Sequence, residues 1–154
     1  MPNLFEEFRA VVAALDAAGV PFAVCGGLAM SIHAHPRATL DIDLLAPAEA
    51  LPVLKDALRP LGFEQRESAP SRFAKGRVVI HRLTKYAPPD PEVFVLDVIE
   101  VGVGVTRDAW QTREALGWEG LCLDVVSREG LVALKRLRGS PQDLADIALL
   151  EGRS

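Results

Sequence analysis

The stretch Arg37-Ala38-Thr39-Leu40-Asp41-Ile42-Asp43-Leu44-Leu45 alternates with period two. Arg37, Thr39, Asp41 and Asp43 fall on one face, and Ala38, Leu40, Ile42 and Leu44 on the other, which predicts a strand with one polar and one buried side. Residues i and i+2 of a strand project from the same face roughly 6.5–7 Å apart at Cα, so Asp41 and Asp43 stand side by side. Asp is disfavoured in strands, and like charges at about 6 Å repel by a few kcal/mol at an intermediate dielectric. A divalent cation offsets that cost, because Mg²⁺ prefers carboxylate oxygens and keeps waters and phosphate oxygens as its other ligands.

Upstream, Phe22 to Cys25 reads as a short apolar strand. Gly26-Gly27 follows at once, and a short helix then runs to about His33, stopped before Pro36. A glycine pair between strand and helix allows two readings: a tight turn that lets the two elements pack, or a close backbone approach to phosphate at a helix N-terminus. Ser31, one turn into that helix, and Arg37 on the acidic face are placed to assist a triphosphate. Downstream, Phe94-Val95-Leu96-Asp97-Val98-Ile99 carries one acid inside an apolar strand. Asp97 is either a strand-end acid bonded to loop amides or a third carboxylate beside Asp41 and Asp43. In the second case the three acids can hold two cations for phosphoryl or nucleotidyl transfer, with Asp97 as the general base.

The remaining pattern predicts an α/β (α+β) domain with a mixed sheet. Residues 3–18 are amphipathic, with Asn3 and Glu6 placed as a capping box and Gly19 as the stop. A helix from about Ala48 to Leu58 follows the acidic strand. Strands are predicted at Phe63–Gln65, in a hairpin from Phe73 to Leu83 turning near Lys75-Gly76, at Val93–Ile99 and at Leu121–Val125. The stretch through Trp110 and Trp118 has no clear period. Ser127 opens a helix to about Arg138, ended by Gly139, and Ser140 with Pro141 opens a last one.

The 154 residues suit one domain, 1–154, with a core motif region at 20–100 and closing helices at 127–151. Hydrophobic residues make up 49% and the formal net charge is −4, which supports a real core and argues against a broad nucleic-acid-binding face. Cys25 and Cys122 sit in apolar runs and read as two buried, reduced thiols. No apolar run is long enough to span a membrane and the N-terminus is acidic, so a cytoplasmic protein is expected.

Val24-Cys25-Gly26-Gly27, thirteen residues, then Asp41-Ile42-Asp43 resembles the signature of the DNA polymerase β-like nucleotidyltransferase superfamily. The string Gly26-Gly27-Leu28-Ala29 with Arg37 to Leu45 is similar to its small bacterial branch, which includes abortive-infection nucleotidyltransferase toxins. Glu129, Leu131, Leu134 and Lys135, followed by Asp143-Leu144-Ala145-Asp146-Ile147, resemble the closing helices of those relatives. The resemblance implies a short mixed sheet flanked by helices and transfer of a nucleoside monophosphate from an NTP such as ATP to a hydroxyl. It implies Mg²⁺, or Mn²⁺, on Asp41, Asp43 and Asp97, with Gly26 and Gly27 at the triphosphate and Lys135 as a nucleotide contact. The acceptor would be tRNA, a protein or a small molecule, and a cognate toxin or antitoxin partner is expected in a phage-defence setting. No counterpart of the large helical domain that many longer members use to bind an acceptor is expected in these residues. The alternative is a non-catalytic nucleotidyltransferase-fold domain that binds a protein partner.

Other features read more simply. His33, His35 and His81 have no ligand spacing, and His81 reads as a core or edge residue. Arg128, Lys135, Arg136 and Arg138 read as a solvated helix face, Asp143 and Asp146 as acids favoured by the helix dipole, and Trp110 and Trp118 as packing residues. A phosphatase of the haloacid dehalogenase type places its first Asp at the end of a fully apolar strand; Arg37 and Thr39 break that pattern.

Overall fold

Asn3 starts the first helix, α1 (Leu4–Ala17), by accepting the Phe5 and Glu6 amides at 2.8 and 3.3 Å. Its apolar stripe, Phe8, Val11, Val12 and Leu15, is buried. The computed structural model describes residues 3–34, 41–86 and 93–152. Arg37, His35 and the first half of the alternating stretch lie outside the described residues.

The elements that follow are β1 (Ala23–Cys25), α2 (Gly26–His33), β2 (Asp41–Pro47), α3 (Leu51–Leu58), β3 (Glu64–Gln65), β4 (Ser71–Phe73), β5 (Val78–Tyr86) and β6 (Val93–Val101). Then come α4 (Val105–Gln111), β7 (Glu114–Trp118), β8 (Leu121–Val125), α5 (Arg128–Arg138) and α6 (Pro141–Leu150). The sheet has the order β3-β5-β6-β2-β1-β8-β7, with β4 also on β5. It is mixed: β2 runs parallel to β6 and β1 to β8, and the other pairs are antiparallel. Among the described residues no helix is long and apolar enough to cross a membrane.

The two faces of the central strands differ as their alternation requires. On one face Ile42, Leu44, Leu96 and Val98 are fully buried, and α1 is tied to this side by Lys85 of β5, which donates to Glu7 at 2.9 Å. The opposite face carries Asp41, Asp43 and Asp97 and is roofed by α5. One hydrophobic cluster runs from Phe8 in α1 to Leu150 in α6, so the closing helices share the core of the sheet.

The structure corrects two expectations. The unpatterned stretch forms α4 and an edge strand, β7, which pairs with β8 through a two-residue turn at Glu119-Gly120 (φ 51° and 79°). An edge strand exposed on both faces has no alternation to display. Cys122 is exposed while Cys25 is buried, because β8 turns Leu123 and Val125 inward and Cys122 outward; both thiols are free.

Candidate active site

Strand register decides which side chains meet. Asp43 of β2 lies opposite Asp97 of β6, Asp97 lies opposite Arg82 of β5, and Asp43 lies opposite Cys25 of β1. Register partners point to the same side of a sheet, so Arg82, Asp97, Asp43 and Cys25 form a row across four strands. Asp41 is two residues before Asp43 and shares its face. The three acids from two distant segments therefore stand on one side of the sheet. They line a cleft of about 230 Å³ bounded by Gly26-Gly27 and by Leu131, Leu134 and Leu137 of α5.

The acids are not equivalent. Burial pushes the Asp43 carboxyl up to about 7, and the charges of Asp97 and then Asp41 add to this; Arg138 and the Gly27 amide act in the opposite direction. Asp41 is raised too, by burial first and then by Asp97. The negative potential that two strand acids imply is thus present and only partly relieved. Asp97 is gripped by Arg82, whose Nε and Nη2 donate to Oδ1 and Oδ2 at 2.9 Å each. This fork holds the Arg82 guanidinium well above its ordinary pKa. Among the described residues, no three Asp, Glu, His or Cys side chains stand grouped as ready-made metal ligands.

The glycine pair is explained by Asp43. Gly26 has φ +62°, and a Cβ there would stand 2.6 Å from Cβ and Cγ of Asp43. Only glycine allows the backbone so near the carboxylate, and the Gly27 amide then donates to Asp43. The Ser31 hydroxyl donates back to the Gly27 carbonyl at 3.2 Å. Lys135 lines the cleft, but it is buried and its Nζ donates to Asp146 at 2.8 Å, with Asp143 at 3.8 Å.

The basic cluster on α5 is therefore not simply a solvated face. Arg138 forks onto Asp143 at 2.8 and 2.9 Å, and Arg128 donates to the His33 and Leu150 carbonyls. Asp143 and Asp146 are buried counter-ions, and Asp143 stands in the first turn of α6 as expected. Ser140 and Asp143 also form a reciprocal capping box at the start of α6. The other side chains behave as read: Trp118 packs edge-on against Phe5 and Phe8, and His81 bonds Glu100 at 2.7 Å.

Arg82 is the site residue that sequence reasoning missed. Its signal is a charged side chain inside Val79-Ile80-His81-Arg82-Leu83, in phase with Val78 and Ile80. Only the pairing of β5 with β6 shows that this phase leads to Asp97.

The family and the shared fold are those of nucleotidyltransferases. The sequence profile of aminoglycoside-2''-adenylyltransferases matches residues 7–115, and the chain belongs to that family. Solved structures share the fold at low identity. ANT(2'')-Ia in complex with adenylyl-2''-tobramycin superposes with a TM-score of 0.67 at 18% identity, covering 94% of this chain and 86% of that one. The lincosamide antibiotic adenylyltransferase LnuA, bound to lincomycin, superposes at 0.63 and 13% identity, covering 97% of each chain. A candidate nucleotidyltransferase from Thermotoga maritima superposes at 0.61 and 12% identity, covering 97% of this chain and 89% of that one. Among curated proteins no match is found.

Proposed function

We propose that this enzyme is Mg²⁺-dependent and moves a nucleoside monophosphate, AMP from ATP, to a hydroxyl of a small molecule in the cytoplasm. The observation that carries this reading is the register of Asp43 with Asp97, with Asp41 two residues earlier, on the wall of a cleft beside a glycine turn.

A divalent cation fits this face because Asp43, a partly buried acid, stands level with Asp97 and two residues from Asp41, and burial and both neighbouring carboxylates oppose its charge. Asp41 and Asp43 would hold it, with Asp97 as a further ligand; bound there, it would neutralise phosphate charge and align the triphosphate. The chain's own residues supply the rest. Gly26 and Gly27 keep the backbone low enough for phosphates to lie against the start of α2. Leu131, Leu134 and Leu137 exclude water from one side of the cleft. Asp97 takes the proton of the acceptor hydroxyl as its oxygen attacks the α-phosphorus and pyrophosphate leaves. Lys135 keeps α5 in place through Asp146, and its contribution to nucleotide binding acts through that position. Ser31 supports the same turn through Gly27, and Arg37 is proposed as a phosphate contact from its place in the sequence.

A small acceptor fits a cleft of this size, and the net charge of −4 disfavours tRNA. The adenylylated tobramycin and the lincomycin of the relatives suggest an amino-sugar or related antibiotic. The test is incubation with each labelled NTP, Mg²⁺ and separate acceptor pools: aminoglycosides, lincosamides, tRNA and cell-extract protein. Label from ATP is expected on a small molecule, lost with chelator and reduced at least about 100-fold in Asp41→Asn, Asp43→Asn and Asp97→Asn. Equal ATP affinity with and without Mg²⁺ would defeat the reading. Label on tRNA or protein would transfer it to a macromolecular acceptor and to a toxin-like role with a cognate partner.

A further inference from the structure

Among the described residues, three cationic side chains border the acidic face, and their hydrogen bonds divide them. Lys135 donates to Asp146 and Arg138 to Asp143, both on α6. Arg82 alone of these three donates to an acid of the candidate catalytic row, and it does so with both arms of its fork. The Arg82 side chain is about half exposed, at 49%, while that of Asp97 is at 11%. The guanidinium thus lies at the mouth of the cleft and reaches inward to a nearly enclosed carboxylate.

A cation and a guanidinium cannot share the same two carboxylate oxygens without strong repulsion. We propose that Arg82 is a positioning residue that occupies Asp97 until nucleotide arrives and then passes to the triphosphate. Asp97 is thereby released to cation and acceptor only when ATP is in place. Guanidinium forks bind phosphate as readily as carboxylate. The half-exposed Arg82 lines the cleft into which the phosphates would come. The arrangement couples divalent-cation loading to nucleotide binding, and it rests on the metal-dependent reading of the same face.

Binding can be measured on the whole chain without turnover, using Mn²⁺ by electron paramagnetic resonance and ATP by calorimetry. Arg82→Gln is expected to bind Mn²⁺ at least about ten-fold more tightly than wild type in the absence of nucleotide. The same variant should bind ATP about ten-fold more weakly in the presence of Mn²⁺. The gain in Mn²⁺ affinity should disappear in Arg82→Gln/Asp97→Asn, which separates release of Asp97 from a general change in charge. Arg82→Lys, which keeps the charge without the fork, should stay within a few-fold of wild type for Mn²⁺. An unchanged Mn²⁺ affinity in Arg82→Gln, or a gain that survives in the double variant, overturns the proposal. If Asp43→Asn leaves Mn²⁺ binding untouched, the metal reading of the face fails first, and the role of Arg82 falls with it. Thermal unfolding of each variant checks that the fold is retained.

Discussion

Gly26 and Asp43 are a matched pair. The left-handed backbone at Gly26 and the missing side chain are both required by a carboxylate that stands against it. Gly26→Ala is expected to cost about 1–3 kcal/mol and to abolish transfer, because the methyl group must displace Asp43; denaturant unfolding and a nucleotide-transfer assay measure the two effects. Asp43 itself opposes stability in the metal-free protein. Its folded pKa, about 7, lies above its ordinary 3.8, so the folded state binds the extra proton and stability falls as pH rises from about 4 to about 7. Asp43→Asn should remove that fall. The variant should melt a few degrees above wild type at pH 8, converge with it near pH 4, and be inactive. An Asn variant that melts below wild type at pH 8 would show that this acid is not under electrostatic strain. The glycine pair and the acid pair were both visible in the sequence. Their mutual dependence was not, because thirteen residues separate them and only the antiparallel pairing of β1 with β2 brings Cys25, the residue before Gly26, opposite Asp43.

At the scale of elements, the hairpin of α5 and α6 is held by charge as well as by apolar packing. Lys135, Asp146, Asp143 and Arg138 bond across it, and three of the four are buried. Lys135→Met leaves the buried Asp146 without its ammonium partner and should cost about 3–5 kcal/mol; chemical denaturation reads this directly. Burial alone would raise the Asp143 carboxyl, but the Arg138 fork and the Ser140 hydroxyl and amide outweigh it and hold the group well below the usual carboxylate range. Its contribution is therefore complete above about pH 4, where the unfolded group ionises, and is lost as pH falls from there toward the depressed folded value. Asp143→Asn should flatten the acid limb of a stability–pH curve below pH 4. A limb as steep as that of wild type would assign acid unfolding to other groups. The helix spans and their Ser caps were legible from local chemistry, since Ser127, Gly139, Ser140 and Pro141 act on their nearest neighbours. The ion network was read as surface charge because helical periodicity does not say which charged residue faces a second helix.

At the scale of the whole molecule, the closing helices are part of the core and part of the cleft. Leu131, Ile147 and Leu150 are buried in the same hydrophobic cluster as the central strands, and the α5 leucines line the cleft that holds the acids. A chain truncated after Ser127 should lose its cooperative thermal transition and bind a hydrophobic dye; a sharp transition with intact ATP binding would show that the sheet folds and works without its roof. The same view explains why α4 and β7 went unseen. Thr106 is buried and accepts the Gly102 amide at 2.9 Å, a polar contact that contributes nothing to an apolar period, and β7 is held by pairing with β8 and carries no buried face of its own.

The sequence by itself determined the alternation that makes β2 a strand, the shared face of Asp41 and Asp43, the glycine turn and the caps of the last helices. All of these depend on residues close together along the chain, where backbone geometry leaves few choices. The tertiary structure alone decided that Asp97 lies level with Asp43, that Arg82 holds it, and that Lys135 and Arg138 turn to α6. Those contacts are set by strand order, register and helix packing. The free energy that chooses among such arrangements comes from burying the whole core at once, so no local stretch of residues carries the answer.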